Sequence, residues 1–319
     1  MDAKRLPNAR LLALAALALL AALAFMTVGA KGNWDFVLPF RGAKLMALIV
    51  VAVSIAVSTL IFQTLAGNRI LTPSIVGFDW LFVLLQTALV FTLGGVGFAM
   101  LPVEVSFALE LSLLGGFALL LFGTLLGSGL HDLFRMLLVG VVLGVLFRSL
   151  THFLARLIDP SEYAVLQSVT FARFSTVNTE QLAITSVIAA ICVAIAWQRR
   201  ERLDVMALGR DHAINLGLDY GLELRIGLGL VAALVAAATA LVGPVALFGL
   251  LVSALTYRLM RTNRHGDLIV TASLVSVVVL VGGQTLFERG LGMSGTLGMV
   301  IDLLGGLVFL TLVLRQVRT

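Results

Sequence analysis

Charged residues are scarce in this chain. Only 12% of its 319 residues are charged, whereas 60% are hydrophobic. Soluble globular domains carry about a quarter charged residues, so this composition excludes an ordinary soluble domain. The net charge is +5, but the basic residues stand in short clusters beside apolar runs. Such clusters are typical of orientation signals in membrane proteins rather than of a nucleic-acid-binding face. We therefore predict an all-α polytopic membrane protein with no nucleic-acid partner.

Residues for catalysis or metal binding are also few. The single cysteine, Cys192, lies inside an apolar run, which excludes a disulfide framework and a thiolate metal site. The four histidines are scattered without the spacing that holds a metal ion. The chain lacks the GxxxxGK[ST] phosphate loop, so it is not expected to hydrolyse ATP itself. We predict no enzyme activity, no cofactor and no metal site.

Long apolar runs are what the sequence has instead. About 20 apolar residues cross the hydrocarbon core as a helix. The runs of this length predict ten spans, at 11–30, 45–66, 80–101, 108–127, 134–156, 181–198, 223–242, 244–260, 268–287 and 296–314. Only Gly243 and Pro244 separate the seventh and eighth spans, so this pair could also be one long broken helix. The first run resembles a signal peptide, but its continuation into more spans favours a retained helix.

The distribution of basic residues predicts the orientation. With ten spans and both termini in the cytoplasm, fifteen lysines and arginines lie inside and seven outside, which accounts for all 22. This excess agrees with the rule that cytoplasmic loops are basic. We predict one transmembrane domain over residues 1–319.

The longest polar interruption late in the chain is Leu203–Tyr220, which the orientation places in the cytoplasm. Asp204 and Asp211 are suited to cap two short helices, which Gly209 and Gly217 would end. The predicted helices run through Leu208 and Leu216. Two short helices joined at a glycine offer a shape for another protein to hold. An ordinary solvated loop is the alternative.

Polar side chains within the spans are rare. Arg148 and Asp302 lie near enough to span ends to reach the interface. Because buried charges mark ion relays, their scarcity weighs against the main alternative, an ion-coupled secondary transporter. Gln63, Gln86 and Gln284 are the notable interior polar residues. Such glutamines more often form hydrogen bonds between helices. They are also our candidates for the translocation path.

Four segments, in order along the chain, carry a resemblance to a known family. They are Arg41-Gly-Ala-Lys44 before the second span, the turn with Asn68, Pro73 and Gly77, the stretch Leu208-Gly209, Ala213 and Leu216-Gly217, and Gly243–Gly249 after the seventh span. On a ten-span background, this chain resembles the permease subunit of ABC importers for vitamin B12 and iron-siderophores, from about residue 35 onward. It departs from the vitamin B12 branch because no proline follows Glu288, and Arg69 replaces a proline of the family turn. The segment from Phe62 to Thr87 and the closing GGLVFL look closer to the catecholate-siderophore branch.

The resemblance implies a vitamin B12-importer-like permease fold in the bacterial inner membrane. Such a permease would move an Fe(III)-siderophore, here of catecholate type, from periplasm to cytoplasm. The implied partners are a dimer of ABC ATPase subunits, a periplasmic siderophore-binding protein and a second permease. In this branch two different permeases usually pair, although a homodimer stays open. A scaffold protein without a pore is a further alternative.

The resemblance also assigns candidate site residues. Its ATPase-coupling loop, about 203–220, corresponds here to Leu208, Gly209, Arg210, Asp211, Ala213, Leu216 and Gly217. Arg41 and Lys44 correspond to basic residues that dock the binding protein, and Arg289 is a candidate by its location. The alternative for these three is a role as interfacial anchors.

Overall fold

Every secondary-structure element in the part of the chain that the structure describes is a helix or a helical turn. The computed structural model describes residues 6–316 except 31, 33, 127–132, 171–173, 175–176, 261 and 291–296. The helices are α1 (Leu6–Thr27), α2 (Trp34–Ala66), α3 (Phe78–Ala99), α4 (Val103–Leu126), α5 (Leu133–Ala155), α6 (Pro160–Thr170), α7 (Thr179–Gln198), α8 (Arg200–Met206), α9 (Arg210–Asn215), α10 (Tyr220–Val242), α11 (Phe248–Leu259), α12 (His265–Thr285) and α13 (Leu297–Gln316). A 3-10 turn, Pro73–Val76, precedes α3, and a π-helical turn, Leu286–Gly290, follows α12.

Most of the predicted spans correspond to helices. Within the described residues, eight helices are long and apolar enough to cross a membrane. The tenth predicted span is α13, a helix of 20 residues. The eighth is α11, which has only 12 residues and is too short to cross by itself. Gly243, at φ 94°, separates α10 from α11, so the two are distinct helices rather than one broken helix.

One extended helix and one additional helix differ from the sequence prediction. The second span begins at Trp34 rather than near residue 45, because α2 continues outward through Pro39 as a helix of 33 residues. As a result, Arg41 and Lys44 lie within α2 instead of before it. The short helix α6 was not predicted at all. Its Glu162 accepts a hydrogen bond from the backbone N–H of Gly95 at 3.0 Å, where α3 is broken at Gly94.

The centre of the bundle is α2. It packs against α1, α7, α10, α11 and α12, and most of its side chains are buried. The approach of α11 to α2 depends on Gly249, since a Cβ there would lie 2.1 Å from Oγ1 of Thr59. This absence of a side chain lets the short α11 pack closely on the central helix.

A second close contact joins the 3-10 turn to α5. Gly140 and Gly144 of α5 lie against Val76 and Gly77. A Cβ on Gly140 would lie 2.6 Å from Cγ1 of Val76. Gly77 has φ 102°, a conformation that suits glycine, and it begins α3. The turn is thereby held against the middle of α5.

Candidate functional site

Two short helices occur at the stretch Leu203–Tyr220, but α8 begins before it, at Arg200, and both helices end before Leu208 and Leu216, the residues through which they were predicted to run. The first, α8, ends at Met206 and the second, α9, ends at Asn215. Gly209 and Gly217 have φ values of 95° and 82°, so both joints use backbone conformations that glycine favours. We name residues 203–220 the coupling segment after the role that the family resemblance implies. The inner end of the molecule is the end that carries it, and the outer end is the opposite one.

The capping roles predicted for the two aspartates are wrong. Asp204 lies inside α8, which begins at Arg200, and Asp211 lies in the first turn of α9, whose N-cap is Gly209. Asp204 caps a different helix instead. Its Oδ1 accepts a hydrogen bond from the backbone N–H of His265, the first residue of α12, at 2.6 Å. Local sequence spacing does not show this partner, which lies 61 residues away.

The coupling segment presents apolar side chains to its surroundings. Leu208, Ile214 and Leu216 are 58%, 47% and 65% exposed. Ala213 is fully buried, which fixes the inward face of α9. Exposed apolar residues next to a membrane-spanning bundle are suited to contact a partner. Arg210 and Asp211 lie on the same short helix, beside the hinge at Gly209.

A buried carboxylate joins the two chain segments that flank the coupling segment. Glu223 of α10 is 4% exposed and accepts hydrogen bonds from Arg199 at 2.6 and 2.8 Å and from Arg202 at 2.5 Å. Both arginines flank the junction between α7 and α8. The sequence analysis did not predict this clamp, whose partners lie more than 20 residues away.

Two of the three docking candidates at the outer end are buried. Arg41 is 7% exposed and donates to four carbonyl oxygens at the end of α1, at 2.9–3.2 Å. Lys44 is 9% exposed and forms an ion pair with Glu288. Arg289 is exposed. The structure therefore gives Arg41 and Lys44 contacts that hold helices together, and their docking role stays a prediction.

The three interior glutamines are nearly inaccessible, at 2–4% exposure. Gln63 donates to Oγ of Ser253 at 2.9 Å, which joins α2 to α11. Gln284 donates to Glu288 at 2.5 Å. Gln86 donates to Oε1 of Glu110 at 2.7 Å, which joins α3 to α4. The bonds of Gln63 and Gln86 agree with helix-to-helix roles, whereas the bond of Gln284 is local, four residues along the chain. Contact with a transported ligand stays a prediction.

Glu110 is a residue that sequence reasoning missed. It lies in the predicted fourth span, is 6% exposed, and also accepts from Oγ of Ser106 at 2.8 Å. It lines a cavity of about 500 Å³ between α3, α4, α7 and α10, together with Gln86 and Gln181. The signal was present in the sequence, since a carboxylate within an apolar run is unusual.

A smaller cavity of about 310 Å³ lies at the inner end. It is lined by Gln63 and Thr64 of α2, Asp204 of α8, Tyr257 of α11 and His265 of α12. Arg69 lies over the Tyr257 ring at 4.3 Å from its centroid. The coupling segment thus meets the inner ends of three other helices around one polar space.

Comparison with known proteins covers nearly the whole chain. The model of the FecCD transport family matches residues 11–315. The petrobactin import system permease protein YclO of Bacillus subtilis is 39% identical over 305 residues, which is 94% of this chain and 97% of that protein. The petrobactin import system permease protein YclN of the same organism is 24% identical, over 86% of this chain and 85% of that protein.

A solved structure shares the fold. It is a metal-chelate-type ABC transporter in an inward-facing conformation, and it superposes with a TM-score of 0.79. The superposition covers 97% of this chain and 99% of the solved chain, at 21% sequence identity. The likeness extends over the full helical bundle described above.

Proposed function

Because the chain belongs to the FecCD transport family, we propose that it carries a ferric siderophore through the membrane together with a second, different permease. It is a multi-pass membrane permease of a bacterial ABC importer of the iron-siderophore class, and it is a transport subunit rather than an enzyme. The family assignment decides against an ion-coupled secondary transporter and a scaffold without a pore.

The proposed substrate is a catecholate-type Fe(III)-siderophore. The support is the 39% identity to a petrobactin import permease over nearly the full length of both proteins. The second permease is proposed because the petrobactin importer of Bacillus subtilis has two permease proteins, YclO and YclN, to which this chain is unequally similar. This unequal similarity supports pairing of the chain with a different permease rather than with a second copy of itself.

A dimer of ATPase subunits and a periplasmic siderophore-binding protein complete the proposed importer. The ATPase would hold the coupling segment, and the binding protein would deliver the ligand at the outer end. ATP binding supplies the driving energy, since a conformational shift requires an interaction that differs between the two states. The permease itself then needs only a rigid connection from the coupling segment to its pore helices.

The observation that carries this mechanism is the hinged, apolar coupling segment at the inner end. Gly209 has φ 95°, and its backbone N–H donates to the carbonyl of Met206 at 3.0 Å. Proline at this position has no N–H and a φ near −65°. Both the hydrogen bond and the hinge conformation would be lost, at a cost of about 2–4 kcal/mol. We expect Gly209→Pro to leave the spans folded and to misplace Leu208 and α9.

The experiment is co-purification of the permease with its sister permease and ATPase, followed by ATPase assays with loaded binding protein. Wild type should assemble, and loaded binding protein should stimulate its ATPase activity. In Gly209→Pro this stimulation should fall at least tenfold. Gly32→Pro is a matched control for folding and assembly, because Gly32 also has a positive φ but lies far from the coupling segment with no contact that a Cβ would meet. A normal response in Gly209→Pro would count against the coupling assignment. A chain that never binds an ATPase would overturn the proposed importer.

A further inference from the structure

His265 connects the coupling segment to two core helices. Its Nδ1 lies 2.7 Å from Oδ1 of Asp204 on α8, and its Nε2 lies 2.6 Å from Oγ1 of Thr64 on α2. The residue is only 2% exposed. A buried imidazole with a partner on each nitrogen has one ring orientation, so these three side chains hold fixed positions relative to one another.

The partners define the direction of the two hydrogen bonds. An ionised carboxylate only accepts, so Nδ1 of His265 carries a hydrogen and donates it to Asp204. In the neutral ring Nε2 then accepts from the hydroxyl of Thr64, whose single hydrogen is shared with the carbonyl of Leu60, 2.9 Å away in the same helix. The chain of bonds therefore runs from α2 through α12 to α8, and each bond depends on a specific atom at each end.

Asp204 also holds the backbone of α12. The same Oδ1 accepts the N–H of His265, which is the first residue of that helix. A negative charge at this point stabilises the positive end of the helix dipole. A displacement of α8 would leave the first N–H of α12 and the His265 ring without their partner, unless α12 moved as well. The coupling segment is thus tied to α12 through main chain and side chain together.

A second tie joins α2 and α12 at the outer end. Lys44 of α2 forms an ion pair with Glu288 in the turn that follows α12, and Gln284 of α12 donates to the same carboxylate. Between the two ends the helices pack along their length in one hydrophobic core. Polar bonds join α2 and α12 at both ends, and close packing joins them in the middle. Sliding of α2 along α12 would therefore break contacts along their whole length.

We propose that His265 is a positioning residue for energy coupling, through which a displacement of the coupling segment moves α2 and α12 as one unit. Their outer ends carry Lys44 and Glu288, so the same unit reaches the side where the binding protein delivers its ligand. This inference rests on the proposed function, because it takes the coupling segment as the part of the permease that the ATPase holds.

The test uses the assembled importer, with both permeases and the ATPase, in lipid nanodiscs. Thr64→Val keeps the shape of the side chain but removes the hydroxyl that His265 requires. We expect the basal ATPase rate to stay unchanged and the stimulation by loaded binding protein to fall about threefold to tenfold, the range for one lost hydrogen bond. Asp204→Ala should reduce the stimulation at least as much. Thr64→Ser should be stimulated as wild type is, because serine keeps the hydroxyl.

Two matched controls separate this role from general effects of substitution. Thr271→Val removes a buried hydroxyl from α12 whose bond goes to the carbonyl of Asp267 four residues back in the same helix. Glu201→Ala removes a carboxylate from α8 that is 84% exposed. Neither contact joins two core helices to the coupling segment, so both variants should respond to the binding protein as wild type does.

The double variant decides whether the two bonds act as one connection. If Asp204 and Thr64 act through His265, Asp204→Ala with Thr64→Val should lose little more than Asp204→Ala alone. Losses that simply multiply, or a response in Thr64→Val equal to that in Thr271→Val, would overturn the inference while wild type still shows coupling. Parallel losses of basal rate and thermal stability would show a purely structural role and overturn it as well. Failure of wild type to assemble or respond would instead overturn the proposed function.

Discussion

The contact between α11 and the central helix gives a sharp test of the fold. In Gly249→Ala, the new Cβ would lie 2.1 Å from Oγ1 of Thr59 and 3.1 Å from its Cβ. No real Cβ sits so close to another heavy atom. Rotation of the Thr59 side chain would move Oγ1 away but leave the Cβ of Thr59 at 3.1 Å, so the two helices must also separate slightly. Overpacking of a core in this way costs about 1–3 kcal/mol.

The stability of the variant is best compared with that of Gly229→Ala. Alanine is favoured over glycine within a helix by about 1 kcal/mol, and both substitutions gain this propensity. At Gly229, however, a Cβ would meet nothing within 4 Å. The difference between the two variants therefore isolates the overlap with Thr59. We expect Gly249→Ala to unfold at a midpoint several degrees below that of Gly229→Ala, measured on the purified permease in detergent.

A compensating substitution makes the reasoning refutable. Thr59→Ala removes Oγ1 and Cγ2, and the buried Oγ1 of Thr59 makes no hydrogen bond that would be lost. The double variant Gly249→Ala with Thr59→Ala should regain most of the lost stability. If Gly249→Ala is as stable as Gly229→Ala, or if the double variant is no better than Gly249→Ala, the close approach of α11 and α2 described above is wrong.

Two further predictions concern the ends of the molecule. Arg289→Glu should slow binding-protein association without changing thermal stability, because the Arg289 side chain is exposed. Arg41→Glu should instead lower thermal stability, because it removes the bonds from Arg41 to α1. Equal association rates for Arg289→Glu and wild type would remove Arg289 from the docking surface. Glu223→Gln should lower the free energy of unfolding by about 1–2 kcal/mol, because the buried side chain loses its negative charge. The cost stays this small because Arg199 and Arg202 keep partial access to solvent. An unchanged unfolding midpoint would show that this clamp contributes nothing to stability.

The sequence predicted the helical membrane fold because the signals for it are local. Apolar runs of about 20 residues, such as the one that became α10, require no knowledge of their neighbours. The two hinge glycines of the coupling segment were also evident, since Gly209 and Gly217 each stand just after a short polar helix. The order of these motifs along the chain was sufficient for the family resemblance, which the comparison with the FecCD transport family confirmed.

Predictions failed where a side chain has its partner in a distant part of the chain. Asp204 was expected to cap its own helix, as the spacing to Gly209 suggested, but it caps α12. Arg41 was expected at the membrane surface, yet the outward extension of α2 buries it against α1. Glu110 was overlooked although a carboxylate within an apolar run is unusual, and its partner Gln86 lies on a different helix. In each case the local sequence pattern predicted the helix, but the bonding partner of the side chain lies on a different helix.

The sequence by itself determined the membrane-spanning helices, the hinged coupling segment and the family. The tertiary structure alone decided that Asp204, His265 and Thr64 meet at the inner end, and that Lys44 meets Glu288 at the outer end. Hydrophobicity and helix-ending glycines act over one or two turns, so they can be identified along the chain. A buried polar group instead requires a partner in space, and only the packing of helices from opposite ends of the chain supplies it.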